Sequence, residues 1–162
     1  MIVVADASVL INLCRVGQAR LFELLFKDVV IPPEVASEFG RLTAALSRFA
    51  GLTLPPGVRQ QYASIVPPML RSATGLDAGE TAALALAVEI HAAAILVDER
   101  RGHGYAIRLG LRPLEILGIL LQAKTAGVLT SVEPVIDALR RDAGFWLSDS
   151  LREQVLRLAG ER

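Results

Sequence analysis

Two short apolar runs, each closed by an aspartate, constrain the fold of this chain more than any other feature. Residues 2–5 read Ile-Val-Val-Ala and end at Asp6, and residues 94–97 read Ala-Ile-Leu-Val and end at Asp98. Short apolar runs of this kind are typical of buried strands in parallel sheets. Since α/β proteins bind ligands beyond the carboxyl ends of their parallel strands, we expect the two aspartates to share a site.

Helical spacing separates these runs, and two further strands are predicted, at residues 28–31 and, as a short edge strand, at 111–114. Helices are predicted near residues 8–15, 18–26, 33–39, 77–90, 100–109, 116–126, 134–141 and 149–158. Residues 41–75 are interrupted by paired prolines, and we expect them to be irregular apart from a partial helix near 42–49. Strands that alternate with helices predict an α/β fold with a parallel sheet, here of four strands, and a helical C-terminal third.

Composition limits the class of protein. A chain of 162 residues with 52% hydrophobic residues is expected to form one domain with an ordinary core. The 17 basic and 17 acidic residues cancel, which argues against nonspecific coating of nucleic acid but not against a nuclease with a local basic rim. The single cysteine, the lack of a basic region before the first apolar run and the lack of a run of roughly 20 apolar residues predict a cytoplasmic protein with no membrane span.

Four acidic residues stand where strand ends and helix starts could bring them together: Asp6, Glu38, Glu80 and Asp98. Each has a structural alternative. The two aspartates could cap the helices that follow them, and Glu38 could be a solvated helix residue. Asp77 and Glu80 fit a capping box, which the spacing alone favours over a functional role.

A cluster of these carboxylates has a specific chemistry. Carboxylates within a few ångströms repel one another and take up protons unless a cation lies among them. Oxygen ligands suit Mg²⁺ or Mn²⁺, which can activate water and stabilise charge on a phosphoryl group. The sequence shows no signature of another kind of active site. His91 and His103 have no zinc spacing, no phosphate-loop or dinucleotide motif occurs, and Ser8 has no evident histidine partner. Ser8 could instead hydrogen-bond Asp6 or a metal-bound water.

A basic group follows Asp98. Arg100, Arg101 and Arg108 lie on the predicted helix, and the last two are seven residues apart and share one face. Such a face could contact the phosphates of a nucleic acid or could simply be solvated, and the pattern does not choose between these interpretations.

Four segments in order carry a family resemblance. They are residues 4–11 (VADASVLI), 31–39 (IPPEVASEF), 76–80 (LDAGE) and 95–101 (ILVDERR), and residues 110–111, 117–127 and 159–161 add to the likeness. With these segments the chain resembles the PIN-domain ribonucleases, specifically VapC-like toxins and a branch of short prokaryotic PIN proteins. The resemblance implies a three-layer α/β/α fold with a parallel sheet of four or five strands, and an acidic Mg²⁺ or Mn²⁺ site that hydrolyses RNA.

The resemblance also implies roles for individual residues. Asp6, Glu38 and Asp98 match the first, second and fourth acids of the family. The third acid is usually an aspartate, and here the matching position holds Glu80, with Asp77 one turn earlier as the alternative.

Three further residues take roles from the same comparison. Glu99 follows Asp98 where the family often shows Thr-x-Asp, so Glu99 could share the metal. Ser8 is the polar residue that the family has two positions after the first acid. Asn12, on the same helix, could hydrogen-bond the site or act as a structural cap.

By the same likeness, the expected partners are an RNA substrate, a small antitoxin protein and a second copy of the chain. The alternative is a PIN-like module that binds RNA or protein without catalysis. The near-zero net charge and the glutamate at the position of the third acid are compatible with this alternative. The retained acids argue against that alternative. A phosphoaspartate phosphatase is less favoured still, because Ala7 and Ser8 follow Asp6 in place of a DxD motif.

Overall fold

The computed structural model describes residues 1–98 and 100–162, with the side chains of Arg100 and Arg101 outside that description. Within this described part of the chain, five strands form one sheet in the order β3-β2-β1-β4-β5, and every neighbouring pair is parallel. The strands are β1 (Ile2–Ala5), β2 (Asp28–Ile31), β3 (Val58–Gln60), β4 (Ala94–Leu96) and β5 (Pro113–Leu114).

Helices connect the strands and build the C-terminal third. They are α1 (Ala7–Arg15), α2 (Arg20–Leu25), α3 (Pro33–Ala45), α4 (Pro68–Arg71), α5 (Ala78–Glu89), α6 (Arg100–Arg108), α7 (Ile116–Thr125), α8 (Glu133–Asp142) and α9 (Asp149–Leu158), with a 3₁₀ turn at Ser47–Phe49. The α/β class, the layered architecture with a parallel sheet and the helical C-terminal third are thus confirmed. Among the described residues, no helix combines the length and the apolar character needed to cross a membrane.

The expectation that residues 41–75 contain no strand was wrong, and so was the count of four strands taken from the residues alone. β3 lies in this segment and pairs with β2, with Val58 opposite Val29. It is an edge strand of three residues, two of them exposed and polar, Arg59 and Gln60. A strand this short, with one side open to solvent, has no apolar run by which sequence could reveal it. The five strands agree with the four or five that the family resemblance implies.

The centre of the core lies around β1, β4 and α5. Every residue of β4 is buried, as are Val3 to Ala5 of β1 and Ala82 to Ala87 of α5. A helix that is apolar on all sides is a buried helix, and α5 contacts α3, β1 and β4. Helix α5 therefore begins beside the sheet edge at which β1 and β4 end.

The strand order reverses between β1 and β4. The chain passes from β1 outward to β2 and β3, and then crosses back to place β4 on the other side of β1. Asp6 extends the central pairing by one residue, because its N–H donates to the Leu96 carbonyl at 3.0 Å. A reversal of this kind opens a crevice beyond the carboxyl ends of the two strands, and Asp6 and Asp98 stand at that crevice.

The C-terminal third is held together through Glu161. Its carboxylate accepts hydrogen bonds from the side chains of Lys124 and Ser131 and from the backbone N–H groups of Val132 and Glu133, at 2.7–3.0 Å. Burial raises the pKa of Glu161, but these donors outweigh it and lower that pKa to about 2. The end of the chain is thereby fastened to the start of α8 and to α7.

Candidate active site

Asp6 lies at the bottom of the crevice between β1 and β4, and 3% of its surface is exposed. Its Oδ1 accepts from the Val9 N–H at 2.9 Å, so it caps helix α1, as the structural alternative predicts. Its Oδ2 accepts from the Asp98 N–H at 3.4 Å. The cap and the contact with the second strand end coexist, since the two oxygens of one carboxylate serve them separately.

The charge on Asp6 is unfavourable in the folded chain. The pKa of Asp6 is raised from 3.8 to about 7. Burial is the largest cause and the negative charges of Asp98 and Glu38 add to the rise, while hydrogen bonds from the Val9 and Asp98 N–H groups oppose it. Three carboxylates from three separate parts of the chain therefore lie near enough to repel, and a cation among them would relieve that repulsion.

A short chain of hydrogen bonds leads from helix α1 to Asp98. The Ser8 Oγ donates to the Asp98 Oδ2 at 3.4 Å, and the Asn12 Nδ2 donates to the Ser8 Oγ at 3.5 Å. Ser8 and Asn12 are one helical turn apart, so both face the crevice. These contacts are long for hydrogen bonds. The Ser8 hydroxyl thus donates to Asp98 and not to Asp6, the partner that the sequence suggested.

Glu38 reaches the crevice from helix α3. Its Oε1 lies 3.6 Å from the Arg41 Nη2, one turn further along the same helix. Its Oε2 lies over the first turn of α5, where a Cβ atom built on Gly79 would be only 2.6 Å away. The Glu38 carboxylate thus spans the gap between the two helices.

Asp77 and Glu80 stand at the start of α5. The Asp77 Oδ1 accepts from the Glu80 N–H at 2.7 Å, which is the N-cap that the spacing predicts. Both side chains face the same cavity as Asp6 and Glu38. The structure therefore brings both candidates for the third acid to the site, with one oxygen of Asp77 engaged in the cap.

Four of the candidate acids and Ser8 enclose a cavity of about 40 Å³, whereas Asp98 is not among the residues that line it. It is lined by Asp6, Ala7, Ser8, Glu38, Asp77 and Glu80. A cavity of about 10–15 Å³ holds one water molecule, so this cavity has room for an ion together with water. A neighbouring groove of about 240 Å³ shares Glu38 and Asp77 with it and leads past Arg41.

The atoms that could bind a metal are carboxylate and hydroxyl oxygens, which are the ligands that hard cations prefer. Within residues 1–98 and 100–162, no three histidine, cysteine, aspartate or glutamate side chains are arranged to hold a metal ion by themselves. Mg²⁺ keeps several of its waters and is commonly bound through one or two carboxylates and substrate phosphates. The residues present fit such a water-rich Mg²⁺ or Mn²⁺ site.

The remaining predicted residues lie outside this cluster or outside the described residues. Glu99 and the side chains of Arg100 and Arg101 belong to the latter group. Arg108 is on the last turn of α6, about 12 Å along the helix from its start. Its guanidinium lies 5.2 Å from the ring centroid of Tyr105, so this cation is directed at its own helix.

Two residues at the site were not singled out from the sequence. Arg41 stands three residues after Glu38, the spacing of a helical ion pair, and its side chain is 71% exposed. Gly79 interrupts an otherwise alanine- and leucine-rich helix, and an isolated glycine in a helix often has a packing reason. An ion-pair spacing and a single glycine are both common in helices, so neither indicates a functional site by itself. Only the packing of α3 against α5 shows that Arg41 and Gly79 lie at the site.

Comparison with known proteins identifies the family of the chain. A family model described as a PIN domain matches residues 2–161. The solved structure of a PilT N-terminus domain protein from the hyperthermophilic archaeon Sulfolobus solfataricus P2 is similar, with 22% sequence identity and a TM-score of 0.49, over 76% of this chain and 93% of that one. No curated protein is significantly similar to the chain. The assignment rests on the family match, which spans nearly every residue, and the chain therefore belongs to the PIN-domain family.

Proposed function

We propose that the chain is a metal-dependent endoribonuclease that hydrolyses RNA phosphodiester bonds. The observation that carries the proposal is the buried carboxylate of Asp6 at the strand-order reversal, with the negative charges of Asp98 and Glu38 beside it. Burying an acid among other acids costs folding free energy, and such costly clusters occur mainly at functional sites. The PIN-domain family match supports hydrolysis of nucleic acid as that purpose.

The roles of the residues follow from where each is anchored. Asp6 and Asp98 would hold Mg²⁺ or Mn²⁺ from the strand ends, and Glu38 and Glu80 would complete the shell from the flanking helices, directly or through water. The ion, when bound, would activate water and neutralise charge on the phosphoryl group. Asp77 is the alternative to Glu80, and Glu99 the additional ligand beside Asp98.

The remaining side chains would act on the ligands and on the substrate. Ser8 donates to Asp98 and would fix the rotamer of that carboxylate, with Asn12 behind it. Arg100 and Arg101, directly after the site in sequence, would contact RNA phosphates, with Arg108 further along the same helix.

Single-stranded RNA is the proposed substrate form. A groove of about 440 Å³ adjoins the site at Asp77 and is bordered by Tyr62 and Arg71. Tyr62 is 74% exposed. Unpaired bases stack on exposed aromatic rings and on arginine side chains, and this groove offers one of each.

The test is cleavage of a labelled single-stranded RNA pool by the purified chain in Mn²⁺, in Mg²⁺ or in EDTA. We expect cleavage with either metal, none in EDTA, and none by the Asp6→Asn variant. Asp28→Asn is the control, because Asp28 is an acid outside the site that pairs with Arg59. Cleavage that persists in EDTA and in Asp6→Asn would refute the proposal.

We further propose that the chain is the toxin of a toxin–antitoxin pair and forms a homodimer, and both proposals are supported by the resemblance to VapC-like toxins. Exposed Trp146 and Leu158, 84% and 69% accessible, offer apolar surface for a second copy. Light scattering after size exclusion should give about twice the 17.4 kDa chain mass. A clean monomer at micromolar concentration would remove the dimer proposal.

The antitoxin proposal has its own test. A small protein encoded beside this chain should copurify with it and suppress RNA cleavage by covering the acidic cavity. Cleavage that continues undiminished in such a complex would argue against the toxin role while leaving the nuclease proposal intact.

A further inference from the structure

The backbone conformation at Gly79 does not require glycine. It lies in the first turn of helix α5, and its φ is not among the positive values found at eight other glycines. Within a helix, glycine is less favourable than any other residue except proline. The reason for glycine at this position therefore has to come from what lies against it.

What lies against Gly79 is the carboxylate of Glu38. A Cβ atom on Gly79 would stand 2.6 Å from the Glu38 Oε2, 3.7 Å from its Cδ and 3.5 Å from the Asp77 Oδ1. Contacts under 3.0 Å are essentially never made by real Cβ atoms. Gly40, a helical glycine on α3, differs in this respect, since a Cβ there would meet nothing within 4 Å.

The two oxygens of Glu38 are thus held from two sides. Oε1 faces the Arg41 guanidinium at 3.6 Å, and Oε2 lies against the bare backbone of Gly79. The Glu38 side chain is 21% exposed, so little of it is free to swing into solvent. An added methyl group would displace the end of this side chain before it displaced either helix, because the carboxylate is the more easily moved partner.

We propose that Gly79 is a positioning residue: the space left by its missing side chain seats the Glu38 carboxylate at the acidic cavity. The consequence for metal binding rests on the proposed function, whereas the seat itself does not. An ordinary contact of 3.4 Å would require the Glu38 Oε2 to move about 0.8 Å. Functional side chains need to be held within about 0.5 Å, and a displacement near 1 Å can cost about 100-fold in rate.

The seat is tested first in the metal-free protein, by crystal structures of the wild type and of Gly79→Ala. We expect the Glu38 carboxylate to be displaced or in another rotamer, with the backbones of α3 and α5 unmoved. If Glu38 keeps its place and α5 shifts instead, Gly79 serves helix packing and the proposal is overturned.

The functional consequence is tested by Mn²⁺ titration calorimetry and by RNA cleavage with the full chain. Gly79→Ala should bind Mn²⁺ about 10- to 100-fold more weakly and cleave more slowly by a similar factor, while Gly40→Ala should equal the wild type. Both variants should melt no lower than the wild type, because alanine favours helix. Equal binding and cleavage by Gly79→Ala and the wild type would overturn the proposal.

A double-variant cycle shows whether Gly79 acts through Glu38. In a Glu38→Gln background, adding Gly79→Ala should change Mn²⁺ affinity by less than twofold. A full additional loss there would mean that Gly79 acts on another group, which contradicts the proposal. If the wild type itself binds no Mn²⁺ and cleaves no RNA, the proposed function fails, and the metal-free structures alone decide whether Gly79 seats Glu38.

Discussion

Neutralising Asp6 should stabilise the metal-free protein. Asp6 is buried, and its pKa is raised from 3.8 to about 7, so the ionised side chain opposes folding. A difference of this size corresponds to roughly 4 kcal/mol of folding free energy at pH above 7. Asparagine keeps the oxygen that accepts from the Val9 N–H at 2.9 Å, and the helix cap survives the substitution.

The net gain is smaller than that maximum. The amide of Asp6→Asn would face the Asp98 N–H where the second carboxylate oxygen now accepts at 3.4 Å, and loss of that weak bond costs about 1 kcal/mol. We expect a gain of about 2–3 kcal/mol at pH 8, or about 5–10 °C in Tm.

The stability difference between Asp6→Asn and the wild type should depend on pH. Below pH 3.8 Asp6 is protonated in both the folded and the unfolded chain, and the variant and the wild type should have similar stability. Between pH 3.8 and about 7 the unfolded chain loses this proton first, so wild-type stability falls as the pH rises. The advantage of the variant should grow across this window and level off above it.

The assay is thermal or urea unfolding of both proteins in EDTA at several pH values from 4 to 8. Asp149→Asn is the control, because a hydrogen bond from Arg140 lowers the pKa of that exposed carboxyl, and its replacement should bring no gain. An Asp6→Asn variant less stable than the wild type at pH 8, or a stability difference that does not change with pH, would show that the charge on Asp6 does not oppose folding.

Three further predictions concern other parts of the molecule. Glu161→Ala should lower the free energy of unfolding by about 2 kcal/mol at pH 7. Because the pKa of Glu161 is lowered to about 2, the stabilisation by this carboxylate should be complete above pH 4.5 and fade as the pH falls to 2. Unfolding of the variant and the wild type at pH 7 and pH 2.5 measures the difference. Burial raises the pKa of Cys14 to about 11, so at pH 8 its thiol should react with an aromatic disulfide reagent roughly 100-fold more slowly in the native protein than in urea, and equal rates would contradict this. Ser8→Ala should reduce the rate of RNA cleavage several-fold without lowering Tm, since it removes only two long hydrogen bonds, the one to Asp98 at 3.4 Å and the one from Asn12 at 3.5 Å. A kinetic assay tests the effect on cleavage, and thermal unfolding tests the effect on stability.

The parts of the fold that sequence could predict are those with a strong local pattern. The strands that end at Asp6 and Asp98 are buried on both faces, so their apolar runs are unbroken. Their meeting at one edge then follows from the rule for parallel sheets. β3 left no such pattern, because an exposed edge strand of three residues needs no apolar alternation.

The site shows the same division. Asp77 was predicted as a cap from the spacing to Glu80, and this is a local interaction within one turn. The approach of Glu38 to Gly79 depends on how α3 packs against α5, across about 40 residues of chain, and no pattern in either helix encodes it. The acids could therefore be nominated from sequence, whereas the neighbour that seats one of them could not.

An anomalous diffraction map of crystals soaked in millimolar Mn²⁺ shows directly whether the acids around Asp6 bind a metal ion. We expect one strong peak or two adjacent peaks in the acidic cavity, at the carboxyl ends of β1 and β4, bonded to carboxylate oxygens of Asp6 and Asp98 at about 2.0–2.3 Å. The same soak of Asp6→Asn crystals should show that peak weakened or gone. Mn²⁺ bound only elsewhere on the molecule, or a cavity that stays empty in the wild type, would contradict the claim that these acids form a metal site.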